Sequence, residues 1–138
     1  GVAEMRARIL VAAETGSLED LAALGDEGSF TASYGGSETA TFWRQLAAEG
    51  TDMREIARTL LDLGCSVSAA DDTPYYSWPA AVDLPYAELT ERERAVLAGL
   101  HGGNLESVYV DGPEIGYYVG WTLTIDETGD WIALVAGD

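Results

Sequence analysis

The chain reads as an α+β domain: a helical N-terminal half packed on a small, mainly antiparallel sheet that ends in a C-terminal hairpin. Three observations predict this. Apolar residues recur at helical spacing through most of the first half, up to Leu63. Short β-rich runs dominate the second half, without the regular alternation of strand and helix that a parallel sheet needs. The closing stretch carries two such runs around a polar turn, the sequence form of a hairpin. No repeat and no linker interrupts the 138 residues, so one domain with its own core is expected.

The elements follow in order. Residues 3–14 place Met5, Ile9 and Ala12 or Ala13 on one helical face, and Gly16 ends that helix. Ser17 with Asp20 is a weak capping box for a short helix bearing Leu18, Leu21 and Leu24. A turn follows at residues 25–28. Residues 29–34 alternate Phe30, Ala32 and Tyr34 with Ser29, Thr31 and Ser33, a half-buried strand closed by Gly35-Gly36. A third helix is expected over residues 38–49, with Phe42, Trp43 and Leu46 inward and Gly50 as its stop. Thr51 is the expected cap of a fourth helix over residues 52–63, where Met53, Ile56, Ala57, Leu60 and Leu63 keep the helical period and Gly64 follows as the C-terminal glycine. Residues 65–67 suggest a short strand, Asp71 to Pro74 a turn, and residues 75–78 a strand stopped by Pro79. Thr90 with Glu93 is a full capping box for a helix over residues 91–100, which ends at His101-Gly102-Gly103. A strand is expected over residues 105–110, then a turn at Asp111-Gly112-Pro113.

In the hairpin, Tyr117, Val119, Trp121, Leu123 and Ile125 alternate with smaller or polar residues. A three-residue loop of Glu127, Thr128 and left-handed Gly129 pairs Asp126 with Asp130. Ile125 then faces Trp131, Leu123 faces Ala133 and Trp121 faces Val135 on the buried side. Ile132 and Leu134 fall on the other face, where a helix or a second subunit of the same chain is expected to cover them. A four-residue loop would set Trp131 beside Thr124 and mix the two faces.

The formal charge of -17 is the most unusual global property. Acidic residues never run longer than two, so the charge is spread over a solvated surface rather than held in a tail. All seven basic residues are Arg, and all seven fall in expected helices: Arg6, Arg8, Arg44, Arg54, Arg58, Arg92 and Arg94. Such a field repels nucleic acid and anionic lipid, so neither is an expected partner. No apolar run approaches the ~20 residues of a membrane-spanning helix, so no membrane insertion is expected. The single Cys65 excludes an internal disulfide and is expected to be a buried, inert thiol.

Catalytic motifs are absent. The chain has no glycine-rich phosphate loop, no Gly-x-Ser-x-Gly and no His-x-x-x-His. One histidine cannot build a multi-His metal site, and the acidic clusters lack calcium-loop spacing, so no metal and no cofactor is expected. Asp126, Glu127 and Asp130 read as a solvated hairpin tip, and Asp138 with the terminal carboxylate as a small negative site. His101 stands at a helix C-terminus, where a cationic ring would favour the dipole. Nine of the eleven Tyr and Trp residues lie between Tyr75 and Trp131. Among them Tyr75, Tyr76 and Tyr118, together with His101, are the candidate ligand-binding residues, against the plainer reading of sheet packing with hydroxyls at the rim.

Tyr76-Ser77-Trp78-Pro79, Leu89-Thr90, the run from Gly116 to Trp121 and the closing Val135-Ala136-Gly137-Asp138 resemble a group of uncharacterised bacterial proteins, often exported. Those share a Trp-Pro, a Gly-Tyr-x-Gly-Trp strand and an Ala-Gly-Asp end. The resemblance covers residues 75–138 and departs from the pattern at Thr122, where the group tends to carry Arg. It implies an extracytoplasmic, envelope location and no particular activity. The opening of the chain, from Ala3 to Tyr34, also resembles the cone-shaped nuclear-transport-factor-like fold, which implies either a small-molecule enzyme or a binding module. The leading expectation is a non-enzymatic acidic domain that binds an unidentified small molecule or protein; the alternative is a small-molecule enzyme with a pocket between helices and sheet. A solid core behind the sheet discriminates against the second.

Overall fold

The structure, a computed structural model, describes residues 1–25, 31–32, 39–70, 72–103, 105–110 and 117–136. The turn expected at residues 25–28 lies mostly outside these, as do Phe30, Tyr34, Gly35-Gly36, Asp71, the Asp111-Gly112-Pro113 turn and Asp138.

Among the described residues five α-helices and two sheets form an α+β fold. Helix α1 spans Val2–Thr15 and buries Met5, Ile9 and Ala12, the stripe its spacing predicts. Helix α2 spans Leu18–Gly25 and buries Leu21. Its capping box is complete: the Asp20 N–H donates to Ser17 Oγ at 3.2 Å and the Ser17 N–H to Asp20 Oδ2 at 3.1 Å. Helix α3, Thr39–Ala48, carries the fully buried Trp43. Helix α4, Met53–Leu61, buries Met53, Ile56, Ala57, Leu60 and Leu61. Helix α5 spans Glu91–Leu100 behind the reciprocal Thr90–Glu93 box.

The cap of α4 is Asp52, whose carboxylate accepts the Arg54 N–H, and not Thr51. Thr51 belongs to the exit of α3: its N–H donates to the Leu46 carbonyl at 2.8 Å across Gly50, whose φ is +99°. Gly64 is likewise no cap; Asp62 caps the helix, and the Gly64 carbonyl accepts the Ala80 N–H at 2.7 Å.

The main sheet orders its strands β1-β7-β6-β3-β2. They are β1 Thr31–Ala32, β2 Ser66–Ala70, β3 Thr73–Trp78, β6 Thr122–Asp126 and β7 Trp131–Val135. All neighbours are antiparallel except β1, which runs parallel to β7. The strand expected at residues 65–67 is longer, and only Asp71 and Asp72 separate it from β3; Asp72 takes a φ of 65° there. Two further strands, β4 Tyr109–Val110 and β5 Tyr117–Tyr118, make a separate small antiparallel pair. The continuous strand expected over residues 105–110 is therefore a 3₁₀ turn, Leu105–Val108, followed by two strand residues.

Helices α1 and α4 pack against each other and on β6, and α2 packs on β7. Behind the sheet Trp43 and Trp131 meet at 6.0 Å between ring centres, with Ile9, Leu60, Leu123, Ile125 and Leu134 fully buried around them. That interface is solid and apolar, and no charged or polar residue is buried among those described.

The hairpin turn forms as expected. The Asp126 N–H donates to the Asp130 carbonyl, the Gly129 N–H to the Asp126 carbonyl, and Gly129 has a φ of +95°. Ile125 sits opposite Trp131. Beyond that pair the expected register is wrong. Thr124 pairs with Ala133 and Leu123 with Leu134, so Ile132 is an extra residue in β7 and the ladder bulges there. Leu134 consequently enters the core, while Ala133 and Val135 stay half-buried. Leu134 thus shares no outer face with Ile132. Two other assignments are reversed in β5: Tyr117 is 57% exposed and Tyr118 is buried. Trp121 precedes β6 and only packs partly against the core. Cys65 is exposed, because it lies in the connection into β2, outside the apolar face of α4.

Candidate functional site

His101 and Tyr118 come together, with ring centres 5.9 Å apart. The positive φ of Gly102 and Gly103 turns the chain out of α5, and the Gly103 N–H closes on the Ala98 carbonyl at 2.7 Å. That leaves the His101 ring facing β5. The Trp121 N–H donates to His101 Nε2 at 3.1 Å, and the Tyr118 hydroxyl donates to the Trp121 carbonyl at 2.7 Å. Both polar groups of one peptide stretch are thereby held from α5 and β5. Gly120 makes room for this: a Cβ there would lie 2.6 Å from the Tyr118 hydroxyl and closer still to the imidazole.

These contacts fix the histidine's state. A backbone N–H only donates, so Nε2 is unprotonated; the Leu97 carbonyl only accepts, so Nδ1, 2.6 Å away, carries the hydrogen. Burial lowers the pKa of His101, partly opposed by the Leu97 hydrogen bond. The cationic, dipole-favoured ring expected from sequence is therefore a neutral one.

Three further residues extend the cluster. Tyr118 meets Tyr109 at 5.9 Å, Tyr109 meets Tyr86 edge-on at 5.6 Å, and the Arg94 guanidinium lies 4.8 Å over the Tyr86 ring. Arg94 also donates to the carbonyls of Tyr86 and Ala87. Burial, with a smaller push from Glu93 and Tyr86 and a pull from Arg94, raises the Tyr109 phenol to about 12. Burial also raises that of Tyr118, with Tyr109 adding to it. Neither phenol ionises near neutral pH. The sequence reading missed Tyr86, Tyr109, Arg94 and Gly120; only the glycine beside a strand tryptophan offered a local signal.

Tyr75 and Tyr76 are placed elsewhere. They stand on β3 opposite Asp126 and Ile125, so they point to opposite faces of the sheet. Tyr76 packs against the core, and Tyr75 shares the outer face with Ser77 and Thr124, whose hydroxyls are 3.1 Å apart. The structure joins only two of the four candidate residues.

Two clefts lie among the helices. One of about 540 Å³ runs between α1 and α2 beside Ala7, Val11, Asp20 and Leu24. Another of about 390 Å³ is lined by Arg6, Leu10, Glu14, Arg58, Asp62 and Val96. Two of its charged groups are engaged: Arg6 donates to the Leu61 carbonyl at 2.6 Å, and Asp62 pairs with Arg92 at 2.5 Å. Among the described residues no three His, Cys, Asp or Glu side chains are grouped to hold a metal, and no helix is long and apolar enough to cross a membrane. At the hairpin tip the Asp126 carboxylate accepts from the Thr128 N–H and hydroxyl and from the Asp130 N–H. Burial pushes its pKa up, and those hydrogen bonds outweigh it and lower the pKa.

Compared with protein-family models, curated proteins and solved structures, the chain matches none.

Proposed function

We propose that this is a non-enzymatic, acidic binding domain, set in an extracytoplasmic location, whose partner is cationic. The observation that carries the reading is the filled apolar interface behind the sheet, where Trp43, Trp131, Leu60 and Leu123 leave the place of a cone-type pocket occupied. The state of the His101 pair supports it too, since both imidazole nitrogens are already hydrogen-bonded to the backbone. A net charge of -17 selects for positive partners and accelerates their encounter. The location follows from the resemblance to exported proteins.

The test is titration calorimetry with oligolysine at low and high salt, with oligoglutamate as control. The expected result is saturable, one-to-one binding of oligolysine that weakens as salt rises, and none of oligoglutamate. No oligolysine binding at low salt overturns the proposal.

A further inference from the structure

We infer that the free edge of β2 is where this domain takes its partner, by adding an extended basic segment as a sixth strand to the main sheet. The inference rests on the binding reading above and names its surface.

Strand β2 is terminal in the sheet, so alternate residues direct their N–H and C=O groups away from β3. Among the described residues, no backbone hydrogen bond outside the β3 ladder reaches Ser66–Ala70. Folded proteins protect such edges with charges, prolines, bulges or short strands. Within the strand itself none of these is present, and the turn Ala80–Asp83 touches only its Ser66 end through Asp83 among the contacts described. The five residues Ser-Val-Ser-Ala-Ala hold no charge and no proline, and their pairing with β3 runs through five successive pairs without a bulge. Val67, Ser68 and Ala69 are all exposed, and Val67, at 58%, is among the most exposed large apolar side chains described. In a chain this acidic, residues 63–70 form an uncharged stretch that ends in carboxylates at Asp62 and Asp71.

The charges around the edge choose the occupant. Asp83 lies at its Ser66 end, accepting the Ser66 hydroxyl, and exposed Asp72 lies at its other end. A second copy pairing antiparallel through β2 would bring the Asp83 end of each chain against the Asp72 end of the other. A strand bearing Lys or Arg meets complementary charge at both ends, and its small apolar residues cover Val67. Main-chain pairing then supplies affinity while the carboxylates select sign.

The probe is a short peptide alternating Lys and Val, compared with the same peptide methylated at alternate backbone nitrogens. Methylation leaves the charge and removes the N–H groups that a new strand needs. The unmodified peptide is expected to bind about tenfold or more tightly than its methylated form, and to slow amide exchange in Val67–Ala69. Ala69→Lys, an exposed substitution, is expected to weaken the unmodified peptide. Equal binding of both peptides without protection of β2 overturns the edge inference and leaves the cationic-partner reading standing. Binding of neither peptide overturns both. A protein dimer that the peptide disperses, seen by sedimentation, overturns the choice of occupant.

Discussion

At the scale of single residues, Gly120 and His101 make the sharpest demands. Gly120→Ala forces a methyl group into the space shared by the imidazole and the Tyr118 hydroxyl. The expected loss is about 1–3 kcal/mol by urea denaturation, an overpacking cost. His101 sets a pH dependence. Its pKa is lowered in the folded state, so the unfolded chain binds more protons as pH falls. The stability it contributes is complete above the ordinary histidine value of about 6.5 and declines as pH falls through the lower folded value. Denaturation midpoints at pH 7.5 and pH 5 are expected to differ, with acid the less stable, and part of that difference is expected to vanish in His101→Phe. The sequence showed where His101 stands, at the end of α5 before two glycines. Its neutral state was hidden because its deciding partner, the Trp121 N–H, is twenty residues away.

At the scale of elements, helix caps and stripes were legible because their signals lie within one or two turns of chain. Thr90 with Glu93 and the Met53-Ile56-Ala57-Leu60 face need no distant partner. The hairpin divides instructively. Gly129 announced its left-handed loop, but the bulge at Ile132 has no local mark, because Trp131-Ala133-Val135 and Ile132-Leu134 alternate equally well on paper. Pairing with Leu123 decides between them. Leu134→Ala is therefore expected to cost about 2–5 kcal/mol, and Val135→Ala under about 1.5 kcal/mol, in equilibrium unfolding. The tryptophans divide too: both are expected on the buried side, and Trp131 alone of the two is enclosed there. Trp131→Ala is expected to cost about 3–5 kcal/mol, and Trp121→Ala clearly less, since only the former ring is fully enclosed. The candidate ligand residues on β3 separated for a related reason: neighbours in a strand face opposite sides, so Tyr75 and Tyr76 never share a site.

At the scale of the whole molecule, the order of helical and strand-like stretches carried the fold class and composition carried the charge. Self-repulsion among exposed carboxylates opposes compactness, and salt relieves it. Raising sodium chloride is expected to raise the melting temperature in a thermal scan. Millimolar calcium at matched ionic strength is expected to add no more than sodium does; a large additional shift would reveal a specific cation site. The edge β2 was legible only as a short strand, because a sequence does not state which strands end a sheet.

The parallel pairing of β1 with β7 joins Thr31 to Ala133, so that ladder closes most of the chain into one loop. Contacts so distant along the chain are entropically late and slow collapse relative to locally paired helices. During synthesis α1 and α4 can cover each other and then meet β6, but the strand on which α2 packs is missing until Trp131–Val135 leaves the ribosome. Nascent chains halted before β7 are expected to be protease-sensitive and to recruit holding chaperones, and those extended past it to resist digestion.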